Sequence, residues 1–203
     1  MSSLSNKVWD ERYSASEYAY GVNPNLFFKE QLDKLNPGKI LMLGEGEGRN
    51  GVYAAKKNWK VDAVDFSEQA RIKALKLAAH GNVSINYTVS NLLEYIPSKE
   101  IYDAAGIVYV HLNNAERSVI FPRLIESLKK NGLVIVEVFS KKVPLSYKGG
   151  PRDQEYLYDL DDIKELFNDF EPIILEEKTT DIFEGEYHQG EAIVIRFVGK
   201  KKN

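Results

Sequence analysis

The stretch Ile40-Leu41-Met42-Leu43-Gly44-Glu45-Gly46-Glu47-Gly48-Arg49-Asn50, followed by Val61-Asp62-Ala63-Val64-Asp65-Phe66-Ser67, restricts the fold more than any other part of the chain. Four apolar residues predict a short buried strand. Three glycines at alternate positions then let the backbone turn sharply and lie against a ligand with no Cβ in the way. A second strand ends on an acid, Asp65, 21 residues after Gly44. This is the plan of an open α/β sheet gripping a nucleotide-like cofactor, with the glycine turn beneath the ligand and the carboxylate on its ribose hydroxyls. The segment Gly46-Glu47-Gly48-Arg49-Asn50-Gly51 also satisfies G-x-G-x-x-G, the dinucleotide pattern. The glycines by themselves leave the cofactor open.

Bulk properties narrow the class. A chain of 203 residues without a Pro/Gly/Ser-rich linker predicts one domain, large enough for a proper core. No apolar run approaches the ~18 residues of a membrane span. The start, Met1 to Lys7, lacks the apolar core of a secretory signal, so a cytoplasmic location is expected. The absence of cysteine excludes disulfides, thiolate metal sites and a cysteine nucleophile. The three histidines, His80, His111 and His188, lie 31 and 77 residues apart, without metal-site spacing, and no metal is expected. A net charge of −3 and a pI near 5.7 argue against a nucleic-acid partner. The one dense basic run, Lys200-Lys201-Lys202, reads as a solvated tail.

The order of elements points the same way. Helices are predicted at 7–13 and, after Asn23-Pro24, at 25–35. Strand 39–43, helix 49–58, strand 60–65 and helix 68–80 follow, with Ser67 as N-cap and Gly81 as the C′ residue of the last. Strands near 84–89 and 104–110, helix 115–130 and strand 133–139 continue the alternation. A long loop, 140–159, and a helix at 160–168 precede two strands, 172–181 and 191–198, which read as a hairpin. The prediction is an α/β, Rossmann-like, doubly wound sheet of seven strands, mostly parallel, with an antiparallel last strand near an edge. Residues 1–36 would cover the cofactor site, 37–199 would form the α/β core and 200–203 the basic tail.

A family resemblance spans residues 9–198. Its marks are Trp9-Asp10-Glu11-Arg12-Tyr13, Tyr20-Gly21-Val22-Asn23-Pro24-Asn25, the glycine turn Gly44 to Asn50, and Val64-Asp65-Phe66-Ser67. Further along come His111-Leu112, Gly149-Gly150-Pro151 and Glu184-Gly185-Glu186-Tyr187-His188-Gln189-Gly190. Together they resemble class I S-adenosylmethionine-dependent methyltransferases, and within them the small tellurite-resistance and thiopurine-type branch. The resemblance implies S-adenosylmethionine as cofactor and a small-molecule methyl acceptor: a thiol, a chalcogen oxyanion or a heterocycle. One position departs from the pattern. Where the family commonly has an acid two residues before the first glycine, holding the cofactor's ammonium, this chain has Met42, which shifts that role to Glu45, Glu47 or backbone carbonyls.

The resemblance also assigns the site. Gly44, Glu45, Gly46 and Gly48 would pass beneath the cofactor. Arg49 and Asn50 open the next helix, whose free N–H groups favour an oxygen-rich ligand. Asp65 would take the ribose hydroxyls, Phe66 the adenine face and Asn91, with Leu92 and Val108, the adenine edge. As a plainer alternative, Asp65 reads as a helix cap and Asn91 as an Asx-turn residue. Trp9, Arg12 and Tyr20, with Tyr13, would fold over the cofactor and exclude water. His111 and His188 follow strands and fall on the carboxyl rim of the sheet, where either imidazole could serve as a base. His80 reads as a favourable charge at a helix end. Two competing functions remain: a nicotinamide-dependent oxidoreductase, which lacks a Tyr-x-x-x-Lys motif here, and a non-catalytic cofactor-binding module.

Overall fold

The computed structural model describes residues 6–144, 146–147 and 149–202. Residues 1–5 and 203, to which part of the N-terminal and tail expectations applied, lie outside that set. The elements run α1 (Asn6–Tyr13), α2 (Leu26–Leu32), β1 (Lys39–Leu43), α3 (Arg49–Lys56), β2 (Lys60–Asp65), α4 (Glu68–His80), β3 (Asn86–Val89) and β4 (Tyr102–Val108). After these come α5 (Asn114–Ser127), β5 (Leu128–Phe139), α6 (Leu160–Leu166), β6 (Phe170–Glu184) and β7 (His188–Lys201). The strands form a single sheet in the order β3-β2-β1-β4-β5-β7-β6, with β7 antiparallel to both neighbours. β1 to β5 pair in parallel.

Side-chain alternation in the strands makes the sheet doubly wound. Ile40 and Met42 face a core with Phe27, Phe28 and Leu32 of α2 and Ala74 and Ala78 of α4. Leu41 and Leu43 face the opposite core, with Ile120, Phe121 and Leu124 of α5 and Ile163 of α6. With helices on both faces, the chemistry falls to the rim where the strands end and the sequence of strand order reverses, between β1 and β4.

Several boundaries differ from those predicted. β5 starts at Leu128 directly after α5, because fully buried Leu128 already pairs with Tyr102 and a bulge between Tyr102 and Ala104 absorbs the extra residues. β4 stops at Val108 because Tyr109 turns into the left-handed region, φ 54°. At the end of α4 the left-handed residue is Asn82, φ 53°, while Gly81 keeps φ −82°. Asn25 caps α2 from outside, its side chain accepting the Phe28 N–H, so that helix starts one residue late. The hairpin strands are longer than expected, leaving a tip of residues 185–187. Lys200 and Lys201 are the end of β7 and not a solvated tail. The Lys201 ammonium donates to the carbonyls of Ile125 and Leu128 at the end of α5, and that of Lys202 to Asn168. No helix among the described residues is long and apolar enough to cross a membrane.

Candidate active site

A cavity of about 550 Å³ opens at the carboxyl rim of β1, β2 and β4. Its floor is the glycine turn. Gly44, φ 58°, brings its backbone against Val110, and a Cβ there would come within 2.9 Å of the valine Cγ2. A Cβ on Gly46, also at φ 58°, would meet the Tyr13 hydroxyl at 2.9 Å. Both positions need the left-handed backbone and the missing side chain at once. Gly48 does a different job. It lies outside the cavity lining, at φ 91°, with its α-carbon pressed toward Ala74 of α4, where a Cβ would sit 2.6 Å from the alanine Cβ.

Two buried carboxylates border the turn. Asp65 accepts the N–H groups of Gly46 and Ser67, each at 3.0 Å. Burial pushes its carboxyl up to about 6, against those hydrogen bonds. Glu45 accepts the Gly51 N–H at 2.6 Å in the first turn of α3, and burial pushes it up to about 7. Met42, where an acid was expected, packs its thioether toward Gly106 and Phe28. Glu47 faces the cavity too, but is paired with Lys73 at 2.5 Å.

The N-terminal segment closes one side. Trp9, Tyr13 and Tyr20 line the cavity, with Trp9 stacked on Tyr13 at 5.8 Å. Arg12 stands behind them, outside the lining. Its guanidinium lies 4.6 Å from the Trp9 ring and 4.7 Å from the Tyr187 ring and donates to the Tyr20 hydroxyl at 2.6 Å. Asp10 accepts from the Ser67 hydroxyl, and Ala19 accepts the backbone N–H of Glu186, which ties this segment both to the Asp65 loop and to the hairpin tip.

Next to Tyr20, His111 and His188 lie among aromatic rings. His188 is 2% exposed, with Tyr20, Tyr109 and Phe139 at ring distances of 4.4, 4.8 and 5.4 Å. His111 stacks with Phe139 at 5.9 Å. Burial pulls the His111 imidazole down to about 3, with His188 adding to the effect, and pulls His188 below its usual range. Both rings are neutral at physiological pH. Gly149 and Gly150 back this wall against Tyr187 and Phe139 without lining the cavity. Phe66, Asn91, Leu92 and Val108 border the remaining side. The Asn91 Oδ1 accepts the Leu93 N–H at 2.9 Å, an Asx turn, so one lone pair of that oxygen is already engaged.

Sequence reasoning missed a buried polar cluster under the site. Glu137, at the centre of apolar β5, accepts from the Tyr109 hydroxyl, the Asn25 amide and the Arg196 guanidinium, each at 2.6 Å. Glu184 accepts from Arg49 at 2.7 Å and from Asn25 at 3.0 Å, and burial alone would raise its carboxyl, but His188 and Arg49 hold it down at about 2. An acid interrupting Leu133-Val134-Ile135-Val136-Glu137-Val138-Phe139 was the visible signal for the first of these. Glu184 opens the hairpin segment that carries the resemblance, but nothing in the local sequence marked it as the partner of Arg49, and nothing marked Tyr109.

Comparison with known proteins follows the same outline. The pattern of the family described as "Methyltransferase domain" matches residues 40–132, from β1 into the start of β5. Residues 40–132 are thus similar to a methyltransferase domain. The whole sheet has the class I methyltransferase fold. Among solved structures, a protein described by the conversion of a disulfide bond into a thioacetal group during echinomycin biosynthesis is 13% identical, with a TM-score of 0.80 over 97% of this chain and 91% of that one. TehB from Haemophilus influenzae is 17% identical, with a TM-score of 0.73 over 97% and 67%. The 1,6-didemethyltoxoflavin-N1-methyltransferase of Burkholderia thailandensis is 16% identical, with a TM-score of 0.70 over 98% and 87%. At these identities the likeness is one of fold. No curated protein sequence matches the chain.

The residues present fit S-adenosylmethionine. Gly44 and Gly46 clear the floor, the carboxylates of Glu45 and Asp65 stand in the cavity wall beside the turn, and the buried Nη1 of Arg49 has no hydrogen-bond partner.

Proposed function

We propose that the chain is an S-adenosylmethionine-dependent methyltransferase that acts on a small molecule, bound between the cofactor and the His111–His188 wall. The observation that carries this reading is the bounded size of the cavity. Trp9, Tyr13, Tyr20 and Gly21 of the chain's own N-terminal segment wall it, and its volume of about 550 Å³ suits small ligands better than an extended polymer. Rings and neutral imidazoles line the acceptor end, a setting that favours an uncharged planar acceptor, a heterocycle or its thiol, over a chalcogen oxyanion.

In this reading Asp65 takes the ribose hydroxyls, Phe66, Asn91, Leu92 and Val108 take the adenine, and Gly44 and Gly46 leave room for the backbone to lie under the ligand. Glu45 stands nearest to replace the acid missing at Met42 and hold the ammonium. Arg49 offers its free Nη1 to the carboxylate, and Asn50 holds Asn25 through its side-chain oxygen. When bound, S-adenosylmethionine supplies a methyl group on a sulfonium centre. Trp9, Tyr13 and Tyr20 exclude water from it. The His188 Nε2, buried and without a hydrogen-bond partner, accepts the proton the acceptor gives up, and His111 completes the wall. Positioning supplies the larger share of rate, since effective molarity is worth roughly 7–11 kcal/mol.

Transfer of label from methyl-labelled S-adenosylmethionine to a panel of heteroaromatic thiols, ring nitrogens and phenols, alongside tellurite, selenite, protein and tRNA, tests the reading. Labelling of heteroaromatic acceptors is expected, and labelling of the macromolecules alone would overturn it. In titration calorimetry Asp65→Asn should weaken S-adenosylhomocysteine binding roughly tenfold to a hundredfold, the worth of one charge-assisted hydrogen bond.

A further inference from the structure

Glu184 and His188 face each other across the last rung of the β6–β7 hairpin. One carboxylate oxygen, Oε2 of Glu184, serves two groups that line the cavity. It lies 2.7 Å from Nη2 of Arg49 and 3.5 Å from Nδ1 of His188. Arg49 and His188 both line the cavity, and the remaining nitrogens Arg49 Nη1 and His188 Nε2 are buried with no hydrogen-bond partner. The other oxygen is held by Asn25 at 3.0 Å, which fixes the carboxylate plane. Arg49 opens α3 directly after the glycine turn, whereas His188 belongs to the acceptor end.

We infer that Glu184 is a positioning residue that couples occupancy of the cofactor end to the imidazole of His188 through this shared oxygen. The inference rests on the functional reading above. An anion arriving at Arg49 Nη1 gives the guanidinium a second negative partner and loosens its hold on Oε2, which becomes free to close the long contact to Nδ1. Nδ1–H then donates to Glu184, and Nε2 is presented to the cavity as the acceptor. The same anion also cancels the positive field of Arg49 at the ring. Both effects make His188 more basic when the cofactor is seated.

The other groups around His188 do not supply this coupling. Tyr20 comes from the N-terminal segment, Tyr109 and His111 from the chain after β4, and Tyr147 from the loop after β5. The tyrosines are pushed above their usual range by burial, and His111 is held neutral. Arg12 is occupied between Trp9 and Tyr187, and Glu137 by Tyr109, Asn25 and Arg196. Arg49 and Glu184 are left as the charges that change partners.

The test is an NMR pH titration of the three imidazoles, with exposed His80 as internal reference. It is run on the free protein, with saturating S-adenosylhomocysteine, and with 5′-methylthioadenosine, which lacks the amino-acid arm. An upward shift of the His188 midpoint with S-adenosylhomocysteine, absent with 5′-methylthioadenosine and lost in Glu184→Gln, is expected. Equal shifts with both ligands, or none with S-adenosylhomocysteine bound, would overturn the coupling while leaving the cofactor site intact. Failure of S-adenosylhomocysteine to bind at all would overturn the functional reading itself. Should Glu184→Gln not fold, Glu184→Asp retains the charge but withdraws the oxygen, and an undiminished shift in that variant would count against the inference.

Discussion

At the scale of single residues, the site holds groups whose protonation opposes one another. Glu45 and Asp65 are raised to about 7 and about 6 by burial, while His111 and His188 are lowered by the same burial. A carboxyl with a raised folded pKa contributes stability that is full at low pH and lost as pH rises through that pKa. A buried histidine with a lowered pKa does the reverse, with the unfolded imidazole half titrated at about pH 6.5 and fully neutral only above about pH 7.5. Between pH 6.5 and 8 the loss from Glu45, about 1 kcal/mol, is therefore opposed by a gain of similar size from the two histidines, so the Tm of the ligand-free protein should stay nearly level. Differential scanning fluorimetry across that window reads it directly, and Glu45→Gln, which removes the falling component, should make the Tm rise by ~2–4 °C for a chain of this size. A Tm that rises over the same window would show that Glu45 is already ionised in the folded chain. Glu184, held near 2, loses its contribution only as pH falls through that value and stays out of the window.

At the scale of elements, the hairpin tip and the N-terminal segment form one clasp. Gly185 has φ +66°, and a Cβ on it would lie 2.3 Å from the Ala19 carbonyl oxygen and 2.6 Å from Gly21 N. Gly190, in the same hairpin at φ +103°, would place its Cβ in open space. Each Gly→Ala change carries a conformational cost of roughly 1–2 kcal/mol, but only Gly185→Ala also wedges the clasp apart. Gly185→Ala should therefore lower S-adenosylhomocysteine affinity in calorimetry and Gly190→Ala should not; equal affinities would mean that the clasp does not help to close the cavity. The sequence showed a glycine-bearing turn here and an aromatic segment at residues 9–20, because composition and spacing are local properties. Their mutual fit was not legible, since it depends on a backbone carbonyl meeting a backbone amide from elements over 160 residues apart. The same limit hid the role of Glu184, whose partners Arg49 and Asn25 come from the other end of the chain. Tyr109 escaped notice because a left-handed tyrosine has no signature in composition, whereas Gly44 and Gly46 announce theirs.

At the scale of the whole molecule, the sheet was readable because its central strands β1, β4 and β5 repeat one simple rule, apolar residues on both faces between helices. The site was readable where it is built on the strand ends, as at Gly44, Asp65 and His111, and less so where two distant segments fold over it. That division has a dynamic consequence. β1, β4 and the second half of β5, residues 134–139, are buried on both faces, so their amides should open only with global unfolding. Segment 9–21 is held by a handful of side-chain contacts, including Asp10 to Ser67, Lys73 to the carbonyls of Ala15 and Glu17, and the Ala19 clasp. Local opening of this segment should therefore be the lowest free-energy excursion of the chain, and the route by which ligands enter a cavity it roofs. Hydrogen exchange measured with and without S-adenosylhomocysteine should show protection gained at 9–21 and 185–188 together, with the same ligand dependence and little change in β1, β4 and β5. Because Glu186 N–H donates to Ala19, neither side of the clasp can order alone. Protection confined to the glycine turn at 44–50 would mean that the cofactor is held by the sheet rim and that the roof stays open above it.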